Sequence, residues 1–216
     1  MRKNLYIIGA RGFGRDFVGF CRITPGLLDQ YNLAGFLDDK TDALDGYADY
    51  PPIVGSVEDF RVSEGDVFFC AMGNVKYLVK YTEMLLARGA KFDTFISKSA
   101  VVHPTARIGV GCFVWNNTTI ASDSCVGNHV VIQSNVVVGH DASIGDYSIL
   151  DTGVTCCGFV NVGERVAIHT GVKVAPKIHV GSGAQLGIGS IVVRDVHDGQ
   201  TVFGNPARPI LAPTVN

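Results

Sequence analysis

No apolar run in this 216-residue sequence approaches the roughly 20 residues needed to cross a bilayer. The opening Met1-Arg2-Lys3-Asn4-Leu5 passes straight into Tyr6-Ile7-Ile8-Gly9, too short an apolar stretch for a signal peptide. A soluble, cytoplasmic protein that does not engage a membrane is expected. Charge is scarce and nearly balanced, at 18% of residues with 18 basic against 20 acidic, so no broad basic footprint for nucleic acid exists. With 47% hydrophobic residues the same low charge excludes a disordered chain. The six cysteines, at 21, 70, 112, 125, 156 and 157, form no C-x-x-C pair and are too sparse for a disulfide scaffold. They read as reduced and mostly buried thiols. Helix formers are few after residue 100, whereas glycine reaches 26 in the whole chain. The second half is therefore turn-rich.

That second half repeats every six residues. Counting from Val102, the positions Ile108, Val114, Ile120, Val126, Ile132, Val138, Ile144 and Leu150 follow, then Cys156, Val162, Ile168, Val174, Val180, Leu186 and Val192. The register does not slip, and one cysteine alone interrupts the aliphatics. Four residues after each stands a mostly small or β-branched residue, from Ala106 and Cys112 through Val130, Val136 and Val160 to Ser190 and Val196. Helix needs apolar residues at a 3.6 spacing, so a strict six defeats it. Each hexad is read as one short strand and a bend, with three hexads closing a coil. Coils stack about 4.8 Å apart through parallel hydrogen bonds, and residues three hexads apart lie above one another. The outcome is a β-solenoid, stable because each coil covers the next. Phe113, Val131, Val137 and Phe159 fall at outward positions and make some faces apolar enough to associate.

The first hundred residues alternate strand and helix. Leu5–Ile8 is a strand, Gly9-Ala10-Arg11-Gly12-Phe13-Gly14 a glycine loop, and Arg15–Arg22 a helical pattern. Leu33–Leu37 is a strand ending at Asp38-Asp39, and Val67–Ala71 another ending at Met72-Gly73-Asn74. A helix from Val75 to Arg88 precedes Phe92 to Ile96. This order gives a small Rossmann-like parallel α/β sheet over residues 1–98, followed by the solenoid over 99–216 with a C-terminal tail. Ligands sit at the carboxyl ends of such strands, where the loops after Ile8, Leu37 and Ala71 converge. The glycine loop can approach phosphates at a helix N-terminus. Its spacing is G-x-x-G-x-G rather than G-x-G-x-x-G, and Asp38 comes well after Gly14, at the end of the second strand. A dinucleotide site and a purely structural turn both remain open, as does a solvated turn for Asp38-Asp39.

One histidine stands apart. His140 lies in Val138-Gly139-His140-Asp141-Ala142-Ser143-Ile144-Gly145, at the third place of its hexad and near a bend, where a side chain can leave the prism. Stacking places Ser122 before it and Gly158 after it, the latter with no side chain to block a substrate. Asp141 is adjacent and Asp123 is stacked on Asp141; either can fix the tautomer of a histidine base. The alternative is a surface histidine at a turn. His169 follows Asp151 by one coil, so a structural ladder pair is expected there, and His103 and His129 are expected to face solvent or a neighbouring copy. Trp115 reads as packing.

The solenoid, closing on Phe203-Gly204-Asn205-Pro206-Ala207-Arg208, resembles the hexapeptide-repeat acyltransferases. That resemblance implies a left-handed parallel β-helix, where the usual crossover rule would favour the opposite hand. With the α/β domain in front, the whole chain looks like the sialic-acid O-acetyltransferases and nucleotide-linked amino-sugar N-acetyltransferases of bacterial surface-glycan pathways (NeuD/PglD type). The family resemblance implies that Gly9, Gly12, Gly14, Asp38, Asp39, Lys40, Gly73 and Asn74 hold the nucleotide of a UDP- or GDP-linked amino sugar. It implies His140 as general base with Asp141 beside it. It also implies acetyl-CoA as co-substrate along a groove near Gly158, Gly187, Gly189, Asn205 and Pro206, and a homotrimer with sites between adjacent prisms. The family commonly carries a second histidine, nine positions after the first, that contacts acetyl-CoA. Here that position is Ile149, so a backbone N–H or another side chain must serve. Solenoids of this kind that bind zinc use three histidines, two of them five residues apart, a spacing missing among His103, His129, His140, His169, His179 and His197, so no metal is expected. An N-acetyltransferase is the leading reading; a sugar O-acetyltransferase, on sialic acid or another hydroxyl, and a non-catalytic nucleotide-binding scaffold are the alternatives.

Overall fold

The apolar run after the basic N-terminus forms β1 (Lys3–Ile8) in the computed structural model, which describes residues 2–210. There follow α1 (Gly12–Ile23), α2 (Leu27–Gln30), β2 (Tyr31–Leu37), β3 (Ile53–Gly55), β4 (Asp66–Cys70), α3 (Val75–Leu86) and β5 (Lys91–Phe92). The strands make one parallel sheet in the order β3-β2-β1-β4-β5. The chain winds outward from β1 to β3, then returns to place β4 on the other side of β1. That reversal opens a crevice at the carboxyl ends of β1 and β4. β4 is buried along its length, as its continuous apolar run dictates for a strand covered on both faces. Neighbouring residues on a strand point to opposite faces. Accordingly Phe69 stacks on Phe17 of α1 at 3.8 Å, while Phe68 lies 5.6 Å from Tyr6 and 5.9 Å from Phe92 on the other face. The buried Asp66 is satisfied, accepting from the Ser63 N–H at 2.9 Å and the Asn4 amide at 3.3 Å.

The segment Phe92 to Ile96 is two strands. Lys91–Phe92 closes the α/β sheet against β4, and Phe95–Ile96 pairs with Phe113–Val114 as the first rung of the solenoid. Ile96 stands one hexad before Val102 and already obeys the count, although at this open end of the stack it is exposed while Phe95 is buried. The described residues form two compact units that divide between Asp93 and Thr94. Of the expected tail, residues 211–216 lie outside the described residues.

In the second unit each hexad contributes a short strand, and strands one coil apart pair in parallel: Thr119 with Val137, Cys125 with Ser143, Val131 with Ile149. Three faces result. The first runs from Val101–Val102 to Ile191–Val192, the second from Arg107–Ile108 to His179–Val180, and the third from Phe95–Ile96 to Gln185–Leu186. Both sequence columns point inward: Ile120, Val138, Leu150 and Cys156 from the first, and Val130, Val136, Val160 and Val172 from the second, are fully buried. Buried hydroxyls are satisfied by backbone, as where Thr118 Oγ1 donates to the Gln133 carbonyl at 2.8 Å. This parallel β-solenoid is consistent with the left-handed coil implied by the hexapeptide pattern.

The corners explain the glycines. Every sixth residue adopts a left-handed backbone, with φ from 55° to 64° at Asn117, Asp123, His129, Asn135, Asp141, Tyr147, Phe159, Arg165 and Lys177, and glycine at 111, 153, 171, 183 and 189. That conformation costs a side chain about 1–2 kcal/mol, which favours Gly, Asn and Asp. The three-hexad register holds to Val192 and then shortens. Gln185 pairs with Thr201, Leu186 with Val202, and Val180 bridges Val196, each falling two positions short of a full coil. The last coil is thus tighter than the rest, and an antiparallel strand, Arg208–Pro209, closes the stack against Thr201–Phe203.

The outward faces differ from expectation. Phe113 and Val131 are buried within the chain, as is Ile149, and Trp115 packs edge-on against Phe113 at 4.8 Å. Val137 and Phe159 remain exposed.

Candidate active site

His140 occupies the corner between the first and second faces, where Gly139 and the left-handed Asp141 turn the chain. Its Nδ1 lies 2.8 Å from Asp141 Oδ2, so of the two carboxylates considered, Asp141 makes the bond. With Nδ1–H donated to that carboxylate, Nε2 keeps its lone pair and becomes the acceptor. One coil on, Gly158 sits directly against the ring. A Cβ there would stand 2.5 Å from Nε2 and 2.6 Å from Cε1, so only glycine leaves this ring position free. Phe159 meets the imidazole edge-on at 5.2 Å. More than half of the His140 side chain is exposed, at 57%. A half-exposed imidazole with one nitrogen tied to a carboxylate and the other open can remove a proton from a bound nucleophile.

A cleft of about 420 Å³ opens at the carboxyl ends of the α/β strands. Gly9, Asp38, Asp39, Lys40 and Gly73 line it, together with Arg11, Phe13, Ala71, Met72, Tyr77 and Tyr81. The three loops after β1, β2 and β4 do converge. Asp38 ties the first two together, accepting from the Ala10 N–H at 2.8 Å and, within its own loop, from the Lys40 N–H at 2.9 Å. Asp39 accepts from the Tyr81 hydroxyl at 3.2 Å, and partial burial plus this carboxylate push the Tyr81 phenol above its ordinary range. The Lys40 ammonium stands 3.6 Å from Asp42 and is exposed.

The other glycines divide by role. Gly9 adopts φ +96°, and a side chain there would press on Met72. Gly14 is buried against the Gly9 carbonyl, which any Cβ would strike, so it serves the close approach of helix to loop. Gly12 opens α1. Asn74 caps α3, its Oδ1 accepting from the Lys76 N–H at 2.9 Å. Gly12, Gly14 and Asn74 do not line the cleft, whereas Arg11, Phe13, Met72, Tyr77 and Tyr81 do and were not singled out from sequence. The spacing of Tyr77 and Tyr81, one helical turn apart on α3 with rings 6.1 Å apart, was the available signal.

The residues expected along the acetyl-CoA groove fall on two corners of the coil. Gly158 accompanies His140. Gly187 and Gly189 lie instead at the corner between the third and first faces. Gly187 packs against the Phe203 ring, and the Gly204 N–H donates to Ser190 Oγ at 3.1 Å, which holds the Asn205-Pro206 turn at this second corner. His169 and Asp151 stand there too, Nδ1 to Oδ2 at 3.1 Å. That hydrogen bond outweighs partial burial and raises the His169 pKa above its ordinary value. His129 is a correction: it is buried at 5% exposure, stacked on Tyr147 at 5.1 Å, and burial lowers its pKa. All six cysteines are free, and burial pushes the Cys156 thiol up to about 12. Among the described residues no group of three or more His, Cys, Asp or Glu could hold a metal ion, and no helix is long and apolar enough to cross a membrane.

Comparison with known proteins places this geometry. Residues 4–85 match the PglD N-terminal domain family. The acetyltransferase domain of PglB from Neisseria gonorrhoeae is 30% identical over 97% of this chain and 100% of its own, with a TM-score of 0.87, and that domain has also been solved in complex with acetyl coenzyme A. A histidine-to-asparagine variant of perosamine N-acetyltransferase from Caulobacter crescentus, in complex with CoA and GDP-perosamine, is 26% identical over 97% of each chain at a TM-score of 0.85. WeeI from Acinetobacter baumannii is 26% identical over 95% of this chain and 99% of its own, at 0.80. Among curated proteins nothing matches.

Proposed function

We propose that this chain, which belongs to the hexapeptide-repeat sugar N-acetyltransferases of the PglD type, moves an acetyl group from acetyl-CoA to the amino group of a nucleotide-linked amino sugar. The observation that carries this reading is the His140–Asp141 pair with its open Nε2 above Gly158. Acetyl-CoA is the co-substrate, as the complex of the PglB domain suggests, and GDP-perosamine bound to a relative marks the class of acceptor. The cleft at the carboxyl ends of β1, β2 and β4 receives the nucleotide, with Gly9, Gly73 and the Asp38-Asp39-Lys40 turn around it. A homotrimer supplies sites between adjacent solenoids.

In the reaction the amine attacks the thioester carbonyl and Nε2 of His140 takes its proton. The C–N bond forms, the C–S bond breaks, and the proton passes to the departing sulfur, giving amide and free thiol. Because the thioester is already activated, no covalent enzyme intermediate is needed. Asp141 holds the tautomer and stabilises the imidazolium that forms, as a carboxylate does for other histidine bases.

Thermal shift with UDP, GDP and TDP tests the nucleotide assignment, since only a ligand that binds the folded state raises the midpoint. One of these raises it under the proposed reading. A midpoint that responds to free sialic acid and to no nucleotide favours the O-acetyltransferase instead.

A further inference from the structure

Phe159 stands where neither the backbone nor burial accounts for a phenylalanine. Its φ is 61°, the left-handed conformation of a solenoid corner, which a bulky side chain adopts at a cost. The residues of this corner column with such a backbone are Asp123, Asp141, Phe159 and Lys177, one per coil, and Phe159 alone of them is apolar. It is 51% exposed and stands outside the core cluster. Aromatic pairing elsewhere in the solenoid is different. His129 and Tyr147, also left-handed and one coil apart, lie nearly parallel at 14° with His129 buried. Phe159 instead stands at 89° to the His140 ring, with the centroids 5.2 Å apart. A backbone outlier beside a reactive group points to function rather than to packing.

The imidazole needs such a neighbour. The core does not hold it: the His140 and Asp141 side chains are 57% and 43% exposed. The bond between Nδ1 and Asp141 Oδ2 fixes one nitrogen, yet a single bond lets the ring pivot, and water competes for an exposed pair. Gly158 leaves the space beside Nε2 and Cε1 open, so it does not stop the ring from swinging. Phe159, next in the chain, stands against the imidazole in a perpendicular arrangement that aromatic pairs favour. Its place is set by the backbone, because the Phe159 N–H donates to the His140 carbonyl at 3.0 Å. That bond belongs to the stacking of coils and does not depend on the side chain at 159.

We infer that Phe159 is a positioning residue for the base: its ring confines the imidazole of His140 to the orientation in which Nε2 faces the space over Gly158, where the lone pair meets the attacking amine. The inference rests on the acetyl-transfer reading above. Orientation is worth this backbone cost, since a displacement of about 1 Å at a reacting group can lower a rate about 10²-fold.

A mutant cycle tests the inference, because a residue that acts through His140 has nothing to act through once His140 is gone. Phe159→Asn is expected to lower kcat about ten-fold while KM for either substrate changes by less than about two-fold. Its thermal midpoint stays at the wild-type value or rises, since asparagine suits the left-handed corner. Phe159→Tyr, which keeps the ring, retains the wild-type kcat. The double variant of His140→Ala with Phe159→Asn is no slower than His140→Ala alone. A further loss of about ten-fold in the double variant would overturn the inference, because Phe159 would then act on something other than the base. Wild-type kcat in Phe159→Asn, a loss confined to KM, or a smaller assembly by native mass measurement would overturn it too. If Phe159→Asn does not fold, Phe159→Leu enters the same cycle. Failure of the underlying reading is seen separately, as absence of acetyl transfer by the wild type. The contact is then still read by NMR, where the His140 ring protons carry a ring-current shift that Phe159→Asn removes; resonances that do not move overturn the placement.

Discussion

His140 and Gly158 touch because they hold the same place in successive coils, whereas Gly9, Asp38 and Tyr81 meet because three crossovers end on the same side of a sheet. In the solenoid, position along the chain is an address in space. Counting by single hexads assigns the core, and counting by three assigns the neighbour above. In the α/β unit the address depends on packing that no short count reveals, such as α1 seated through Gly14 on the Gly9 carbonyl and Phe17 stacked on Phe69. The solenoid therefore places single groups against rigid backbone, suited to chemistry at one atom. The α/β unit gathers loops around a cleft, suited to holding a larger ligand by many contacts.

That contrast predicts two kinds of damage. His140→Ala lowers kcat by roughly 10²–10⁴-fold, the range for removing a general base, with little change in the KM for nucleotide sugar. Gly158→Ala costs about 10²-fold in kcat with the thermal midpoint nearly unchanged, because its methyl pushes the His140 ring aside while the backbone accepts alanine. Steady-state kinetics beside a melting curve checks both; a Gly158→Ala enzyme with normal turnover would show that the ring position does not matter. Asp38→Ala works on the other unit. Removing bonds to the Ala10 and Lys40 N–H groups loosens the glycine loop and raises KM by about ten-fold, more than it lowers kcat, since charge-assisted bonds contribute about 1.5–3 kcal/mol. An unchanged KM places the nucleotide elsewhere.

The smallest effect concerns stability. His129 has a folded-state pKa below its unfolded value, so folding favours its neutral form. Its contribution is present above the unfolded value near 6.5 and is lost as pH falls below it. His169 runs the other way: its contribution is full below that value and fades as pH rises through the raised folded pKa. Denaturation from about pH 5 to 8 should therefore show an acid-side loss that His129→Asn removes and His169→Asn leaves in place.

Sequence reasoning reached these two regions unequally. The hexad columns, the His140 corner and the role of Gly158 as open space were legible because each follows from counting. The same counting, started at Val102, overlooked Ile96 and could not foresee the shortened last coil, where Val196 and Val202 pair out of the hexad register. It also left Phe113 and Val131 on the outside, since a period of six says which residues leave the prism and nothing about what covers them. In the α/β unit the convergence of three loops was legible from strand order. Which side chains line the cleft was not: Gly14 and Asn74 serve packing and capping, while Tyr77 and Tyr81 enter from a helix whose facing only the packed sheet decides.

The most direct measurement is of the acetylated product. Incubation with acetyl-CoA and a panel of UDP- and GDP-linked amino sugars, with free sialic acid alongside, should yield one nucleotide sugar carrying the new acetyl group on nitrogen, with one free thiol released per product. Acetylation of a hydroxyl alone, or no thiol released with any amino sugar, would contradict the account.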